Sequence, residues 1–418
     1  MRRGAASLPP MRRQSLVCEY LMPAKIALVH DWLTGMRGGE KCLESLAAAF
    51  PDAPLYTLLH RRGSTSPVIE DRPIHTSMLQ WLPGVQRYYR YLLPLMPRAI
   101  ERLRLPANAQ AVVSFSHAVA GRAIAPPGVP HICYCFSPMR YAWHMREAYF
   151  GPRRALRRIN PLAMVRDRLL DRIREWDRAA SDRVTHFVAI SQTVADRIHD
   201  CYGRSSTIIY PPVDTDFYQP DEVPRVPFYL VVSALVPYKR IDLAIEACRR
   251  LDRKLVVIGT GPEAARLKRL ARGANIRFLG WQSDDVIRQY LQCCRALLFP
   301  GCEDFGIVPL EAQACGAPVV AYGAGGATET VLPASEDTPG TGRFFAQQTP
   351  EALVEAMSWM EQHREAFCPI KARAQAERFN KARFDAELLA FVHRVIDGRR
   401  SAAARDEQTK VVSMRRAG

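Results

Sequence analysis

Apolar residues in this chain fall in short runs, separated by stretches whose charged and apolar positions repeat at helical spacing. Residues 25–30, 111–115, 131–136 and 184–191 read as buried strands, and 208–210 closes that half. In the second half, runs at 228–232, 255–258, 276–279, 296–299 and 319–322 alternate with helical patterns over 242–250, 306–314, from Thr328, over 351–366 and over 371–398. Runs of four to eight apolar residues between longer amphipathic segments predict parallel sheets covered by helices on both faces. The fold class is therefore α/β, of the doubly wound kind.

Proline marks the boundary between the halves. Pro211-Pro212 opens a proline-rich stretch that ends at Pro227, and 211–227 reads as a linker between domains 23–210 and 228–375. A chain of 418 residues usually needs two cores, in agreement with that division. Residues 1–22 lack periodicity and read as a disordered extension, or as an upstream segment ahead of a natural start at Met22. The basic tail 399–418 is also expected to be disordered.

The second half carries the most informative stretch. Between the runs at 296–299 and 319–322 lies a loop, then a short helix in which Pro309 is tolerable only in the first turn and Gly316 suits the residue past the end. The helix thus starts at the carboxyl end of a strand, where α/β sheets bind ligands and where backbone amides favour anions. Glu303 lies in the loop and Glu311 about a turn into the helix. Carboxylates would repel a bare phosphate, so beside an anion site they suit hydroxyl donors, and the ensemble fits a sugar joined to a phosphate. By spacing alone, a solvated loop acid and a dipole-favoured acid remain the other reading.

Composition narrows the classes only modestly. The net charge of +16 admits nucleic acid, an anionic membrane surface or a phosphorylated ligand. Basic and aromatic residues interleave at 85–105, and an arginine-rich stretch follows at 153–183. Such segments suit a membrane interface, single-stranded nucleic acid, or a core helix with a solvated basic side. Eleven cysteines show no zinc-ribbon spacing and, with no secretory signal evident, point to a reducing compartment. Gly259-Thr260-Gly261 is followed by Pro262 and lies mid-domain, so a dinucleotide fingerprint is not met. Asp214-Thr215-Asp216 has a metal-ligand spacing in some sugar transferases, but after two prolines it reads better as a turn with Asx hydrogen bonds. The glycines of Gly35-Met36-Arg37-Gly38-Gly39, between the first strand and helix, allow close approach to a phosphate or sugar. His117 stands at a strand's carboxyl end, where it faces a cleft or serves the core.

Taken together, several motifs resemble one family, the retaining GT-B glycosyltransferases of family 4, and among them the lipopolysaccharide and exopolysaccharide mannosyltransferase-like members. They are Val29-His30-Asp31-Trp32-Leu33 with Gly38-Gly39-Glu40, residues 114–120, Ser137-Pro138-Met139-Arg140-Tyr141-Ala142-Trp143, Tyr210-Pro211-Pro212-Val213-Asp214, Val236-Pro237-Tyr238-Lys239-Arg240, and Glu303 with Phe305, Gly306 and Glu311. The last is the family's E-x7-E signature. The resemblance implies two facing Rossmann-like domains and a C-terminal helix, here 376–398, crossing back to the first. It implies that Glu311 binds ribose, that Glu303 binds the transferred sugar, and that amides of Phe305, Gly306, Ile307 and Val308 reach sugar and phosphate. Lys239 would neutralise the diphosphate, Gly38 and Gly39 would let the first domain close, and His117 would lie near the reacting sugar. No metal and no cofactor are implied, because the nucleotide-sugar is a substrate.

Two positions depart from the pattern. Ala234 stands where the family has a second diphosphate-binding arginine, for which Arg240 or a first-domain arginine is the expected substitute. Phe136 replaces a histidine common in close relatives. The expected activity is retaining transfer of a hexose, mannose from GDP-mannose in the first instance, to a lipid-linked saccharide. A UDP-sugar donor and an idle nucleotide-sugar binder are the alternatives. The expected setting is the cytoplasmic side, peripheral on the anionic inner face of the inner membrane, with no nucleic acid partner.

Overall fold

The computed structural model describes residues 24–150 and 161–416; the extension expected at 1–22 lies outside them, as does part of 153–183. Strands β1 (Ile26–His30), β2 (Leu55–Thr57), β3 (Ile74–Thr76), β4 (Ala111–Ser116), β5 (His131–Cys135), β6 (His186–Ala189) and β7 (Ser206–Ile208) form one parallel sheet in the order β3-β2-β1-β4-β5-β6-β7. Strands β8 (Phe228–Val232), β9 (Lys254–Ile258), β10 (Ile276–Gly280), β11 (Ala296–Phe299), β12 (Val319–Tyr322) and β13 (Gly342–Phe345) form a second, in the order β10-β9-β8-β11-β12-β13. Register is parallel throughout: Leu28 pairs with Leu55 on one side and Val113 on the other, and Leu297 pairs with Leu230 and Val319. Central strands β1, β4, β5 and β11 are buried at every position, as sheets covered on both faces require.

The helices that matter for the site are α1 (Gly38–Ala49), α2 (Pro161–Ala180), α3 (Gln192–Tyr202), α4 (Ile241–Arg250), α5 (Ala264–Leu270), α6 (Asp284–Cys293), α7 (Ile307–Ala314), α8 (Pro350–Gln362), α9 (Pro369–Glu377) and α10 (Lys381–Arg416). In each sheet the strand order reverses once, between β1 and β4 and between β8 and β11. Ligand crevices open at such switch points, outside the carboxyl ends of the strands.

The helical pattern expected over 371–398 is two helices. The chain breaks between Glu377 and Lys381, where the Val213 amide donates to the Phe379 carbonyl at 2.8 Å and Asn380 caps the next helix by accepting from the Arg383 amide at 2.8 Å. The break lets the chain leave the second domain, and α10 then packs into the first, where Phe384, Leu388, Phe391, Val392 and Ile396 join a core with Leu28, Leu43 and Val113. The crossing helix thus begins at Lys381 rather than 376. It continues through Arg416, so residues 399–416 extend it instead of forming a disordered tail. Strands β2, β3 and β13 were not legible from apolar runs, and β7 lies two residues earlier than 208–210.

The Asp214 side chain accepts from the Phe217 amide at 2.9 Å, the Asx turn expected of Asp214-Thr215-Asp216. Ten cysteines in the described residues are free thiols, seven of them buried. No described helix is long and apolar enough to cross a membrane.

Candidate functional site

The two switch points face each other. From the second domain, β11 runs into a loop that ends at Gly306, whose φ of 99° brings the chain into α7. Gly325 and Gly326 hold that loop from behind: the Gly326 amide donates to the Glu303 carbonyl at 2.8 Å, and a Cβ on Gly326 would lie 2.2 Å from the Phe305 Cα. Only glycine permits this approach, which fixes where the Glu303 side chain emerges. Phe305 is turned the other way, into the first domain, where it stacks on Tyr210 with ring centres 5.7 Å apart. So the amide row of Phe305, Gly306, Ile307 and Val308 begins at a point anchored across the domain boundary.

Lys239 comes from the other side of the same switch point, in a short helical turn after β8. Its ammonium pairs with the Glu303 carboxylate. Arg240, also expected at the donor, is turned instead to the Asp242 carboxylate at 3.4 Å and the Gln348 carbonyl at 3.5 Å.

Glu311 lies one turn into α7 and is buried. Burial pushes its carboxyl up to about 7; Lys41 of the first domain pulls it back, and Asp284 and Asp214 push it further. An acid buried beside two like charges is a costly arrangement for a fold to keep.

The first domain supplies the opposite wall. Gly38, at the start of α1, sits against Ile307: a Cβ there would lie 2.7 Å from the Ile307 Cδ1. Next to it, a Cβ on Gly39 would approach the Phe136 ring at 3.3 Å and the His30 Nε2 at 3.6 Å. Burial lowers His30 to about 4, so it is neutral at physiological pH. His117 follows β4, beside β1, and its position is set by Asp31. The fully buried Asp31 carboxylate accepts from the amides of His117 (2.7 Å), Ala118 (2.9 Å), Val119 (2.7 Å) and Ala120 (2.7 Å), and lies 3.1 Å from the His117 Nδ1. The Trp32 ring meets the imidazole edge-on at 4.6 Å.

The structure thus gathers Gly38, Gly39, Lys239, Glu303, Phe305, Gly306, Ile307, Val308 and Glu311 at one crevice, with His117 on the first-domain side, and turns Arg240 aside. Sequence reasoning missed Asp31, Lys41 and Asp284, and also Asp304, which pairs with Arg140 and Arg197 of the first domain beside Glu303. Asp31, Arg140 and Asp304 lie inside motifs already singled out; Lys41, Arg197 and Asp284 carry no local signal.

Comparison with known proteins bears on the family and the fold. Residues 36–217 match the family model "Glycosyltransferase Family 4", and residues 213–382 match "Glycosyl transferases group 1". A GDP-mannose-dependent alpha-(1-6)-phosphatidylinositol monomannoside mannosyltransferase of Mycobacterium tuberculosis is 30% identical over 172 residues, covering 34% of this chain and 45% of the relative. The uncharacterized glycosyltransferase MJ1178 of Methanocaldococcus jannaschii is 28% identical over 156 residues, covering 36% and 43%. The matched region spans less than half the length of these relatives. Among solved structures, Anabaena Alr3699/HepE in complex with UDP superposes with a TM-score of 0.63 at 17% identity, over 88% of this chain and 99% of that one. Two parallel-sheet domains and both family models concur: the chain belongs to the family 4 glycosyltransferases of GT-B fold.

Proposed function

We propose that this protein transfers a hexose from a nucleotide-sugar to a lipid-linked saccharide with retention of configuration, mannose from GDP-mannose being the first donor to test. The observation that carries the reading is the buried Glu311 one turn into α7, with Lys239 and Glu303 paired at the start of that helix. Ribose hydroxyls donate to Glu311 and sugar hydroxyls to Glu303. The diphosphate lies between the amides that open α7 and the Lys239 ammonium.

The bond between the sugar C1 and the diphosphate oxygen breaks with its electron pair going to that oxygen. The acceptor hydroxyl bonds to C1 on the same face, and its proton passes to the departing diphosphate. The residues position the partners and stabilise the charge that grows on the leaving group. His117, tied by Asp31, lines the sugar side from the first domain.

Mannose and guanosine are suggested by the mycobacterial relative's GDP-mannose dependence, and the lipid acceptor by its phosphatidylinositol mannoside substrate. The UDP held by the Anabaena protein keeps a uridine donor as the second reading. The setting proposed is the anionic inner face of the inner membrane, approached through the first domain. Trp81 and Tyr91 are each 85% exposed there, among the exposed Arg87, Arg90, Arg98, Arg102 and Arg104.

The purified protein is to be offered GDP-mannose and a panel of UDP-sugars with a lipid-linked acceptor, and the product's anomeric configuration read by NMR. Lys239→Ala and Glu311→Ala are each expected to lower kcat/KM about a hundredfold. Full activity in either variant, or turnover of no nucleotide-sugar, sinks the assignment.

A further inference from the structure

Two acids stand side by side in the loop before α7, and they answer to different domains. Glu303 pairs with Lys239 of its own domain. Asp304 is buried and turned to the first domain, where Arg140 reaches one carboxylate oxygen at 2.5 Å and Arg197 pairs with the other. The attachment is reinforced nearby. The Ser191 hydroxyl, at the N-cap of α3, donates to the Asp304 carbonyl at 2.5 Å. Glu329 accepts from the amides of Gln192 at 2.8 Å and Thr193 at 3.1 Å, so a second-domain acid caps a first-domain helix.

Burial by itself would raise the Asp304 carboxyl, but Arg140 and then Arg197 hold it below its usual range. One ionised carboxylate therefore faces two guanidinium groups. His144, kept to about 4 by burial and then by Arg197, adds no charge at neutral pH. With Lys239 and Glu303 forming a neutral pair, this group of residues carries one positive charge more than it needs.

The two arginines differ in part of their surroundings. Arg140 is in the electrostatic range of Tyr238, which adjoins Lys239, and of Glu303, the partner of Lys239; its side chain is 27% exposed, and its Nε has no hydrogen-bond partner among the described residues. Arg197 is in the electrostatic range of Cys302, and both arginines are in that of His144. A nucleotide-sugar diphosphate bears two negative charges and gains another as the C1–oxygen bond breaks, before the acceptor's proton offsets it. One ammonium beside a helix start meets only part of that. Position 234 is an alanine, and Arg240 is engaged with Asp242.

We propose that Arg140, carried by the first domain and seated by Asp304, faces the leaving diphosphate as a second cation beside Lys239. This rests on the donor reading above. Arg140 comes from the opposite domain, so the second cation is in place only while the two domains are together. Asp304 is the positioning residue that ties its arrival to closure.

The test is calorimetric binding of GDP and GMP, and of UDP and UMP, to the full chain and to Arg140→Gln, Arg140→Lys and Lys239→Gln. Monophosphate affinity reports whether the nucleoside end of the site is folded, and the monophosphate-to-diphosphate ratio of Kd reports the cations. Arg140→Gln is expected to reduce that ratio about tenfold while monophosphate affinity stays within about twofold, the loss of one charge-assisted contact. Arg140→Lys keeps the charge and recovers part of the ratio. If Lys239→Gln lowers the ratio and Arg140→Gln does not, the Arg140 assignment falls and the donor reading stands. If neither variant moves it, the donor reading falls as well. If Arg140→Gln weakens monophosphate and diphosphate equally, Arg140 holds the domains together without touching the diphosphate, and the proposal is overturned.

Discussion

The Lys41 ammonium lies 3.3 Å from the Asp284 carboxylate, joining the first turn of α1 in one domain to the start of α6 in the other. Both side chains are well exposed, so the pair contributes little to stability. Its place is what matters. Lys41 is the strongest opposing charge on Glu311, and Asp284 is the strongest like charge on it. The first domain thus adjusts the ionisation of an acid in the second, and does so only while the two are in contact.

Glu311 should make the protein less stable as pH rises. Its carboxyl titrates near 7 in the folded chain against an ordinary 4.5, so the folded state binds more protons between those values. Stability then falls as pH rises from 4.5 and the full cost is present above about 7, on the order of 3 kcal/mol. Glu311→Gln is expected to raise Tm at pH 8 and to change it much less at pH 5, and to weaken donor binding at pH 8 but little at pH 5, where the native carboxyl is itself protonated. Glu40, pushed to about 7 mainly by burial, adds a second slope in the same window, so the variant reduces the pH dependence without abolishing it. Thermal melts across pH 5–8 check this; a Tm lowered at pH 8 would contradict the burial cost.

Lys41→Met removes the cation that favours the ionised Glu311. The Glu311 carboxyl should titrate higher, and on the proposed reading, in which ribose hydroxyls donate to the carboxylate, the pH below which donor KM rises should move upward. The expected shift is on the order of half a unit, the size of a partly exposed charge contact. A pH series of donor KM measures it, and an unmoved midpoint would show that Lys41 does not act on Glu311.

The parts of the site that could be read from the sequence are those whose partners lie close along the chain. Glu303, Gly306 and Glu311 share one strand–loop–helix unit, and Lys239 follows a strand end, so spacing and turn chemistry carried them. Arg140 and Arg197 meet Asp304 from 164 and 107 residues away, and Lys41 meets Asp284 across 243. No periodicity reports such pairs, because they depend on how two separately folded sheets face each other. The same limit applies to the fold. Four-to-six-residue strands announced themselves as apolar runs, whereas Leu55–Thr57 and Ile74–Thr76 are too short to differ from loop, and Gly342–Phe345 contains Gly342 and Arg343. The break before α10 did leave a signal, Asn380 three residues ahead of Arg383, but a continuous amphipathic pattern on either side concealed it.

Gly38→Ala is expected to disturb the crevice rather than folding. The added methyl would meet the Ile307 Cδ1 at 2.7 Å, a side-chain tip on the opposing domain. The Ile307 Cδ1 is the end of a flexible side chain and must turn aside, which disturbs the first turn of α7, where the diphosphate is proposed to lie. We expect kcat/KM to fall roughly tenfold or more with Tm nearly unchanged, as small misplacements at a reacting centre do. Ile307→Val in the same background removes the Cδ1 and should restore much of the loss. If the double variant is no better than Gly38→Ala alone, the clash is not the cause.

The exposed face around Trp81 and Tyr91 gives a prediction that does not involve the donor. The segment 85–105 buries Val85, Tyr89, Leu93, Met96, Ala99, Ile100 and Leu103 in the first-domain core, so its basic residues are the outer side of a packed element. A solvated basic face accounts for the arginines, but it does not account for an indole and a phenol ring left in water beside Leu82 and Leu95, which are also exposed. Exposed rings and guanidinium groups within one segment suit the headgroup layer of an anionic bilayer, where each arginine is worth about 1 kcal/mol near the surface. Replacing Arg87 and Arg90 by glutamine should therefore lower binding to vesicles containing anionic lipid on the order of thirtyfold at low salt, with binding to neutral vesicles unaffected. Trp81→Ala should weaken both. Co-sedimentation at two salt concentrations measures the difference, and a chain that pellets equally with neutral and anionic vesicles would show that the arginines serve something other than a membrane.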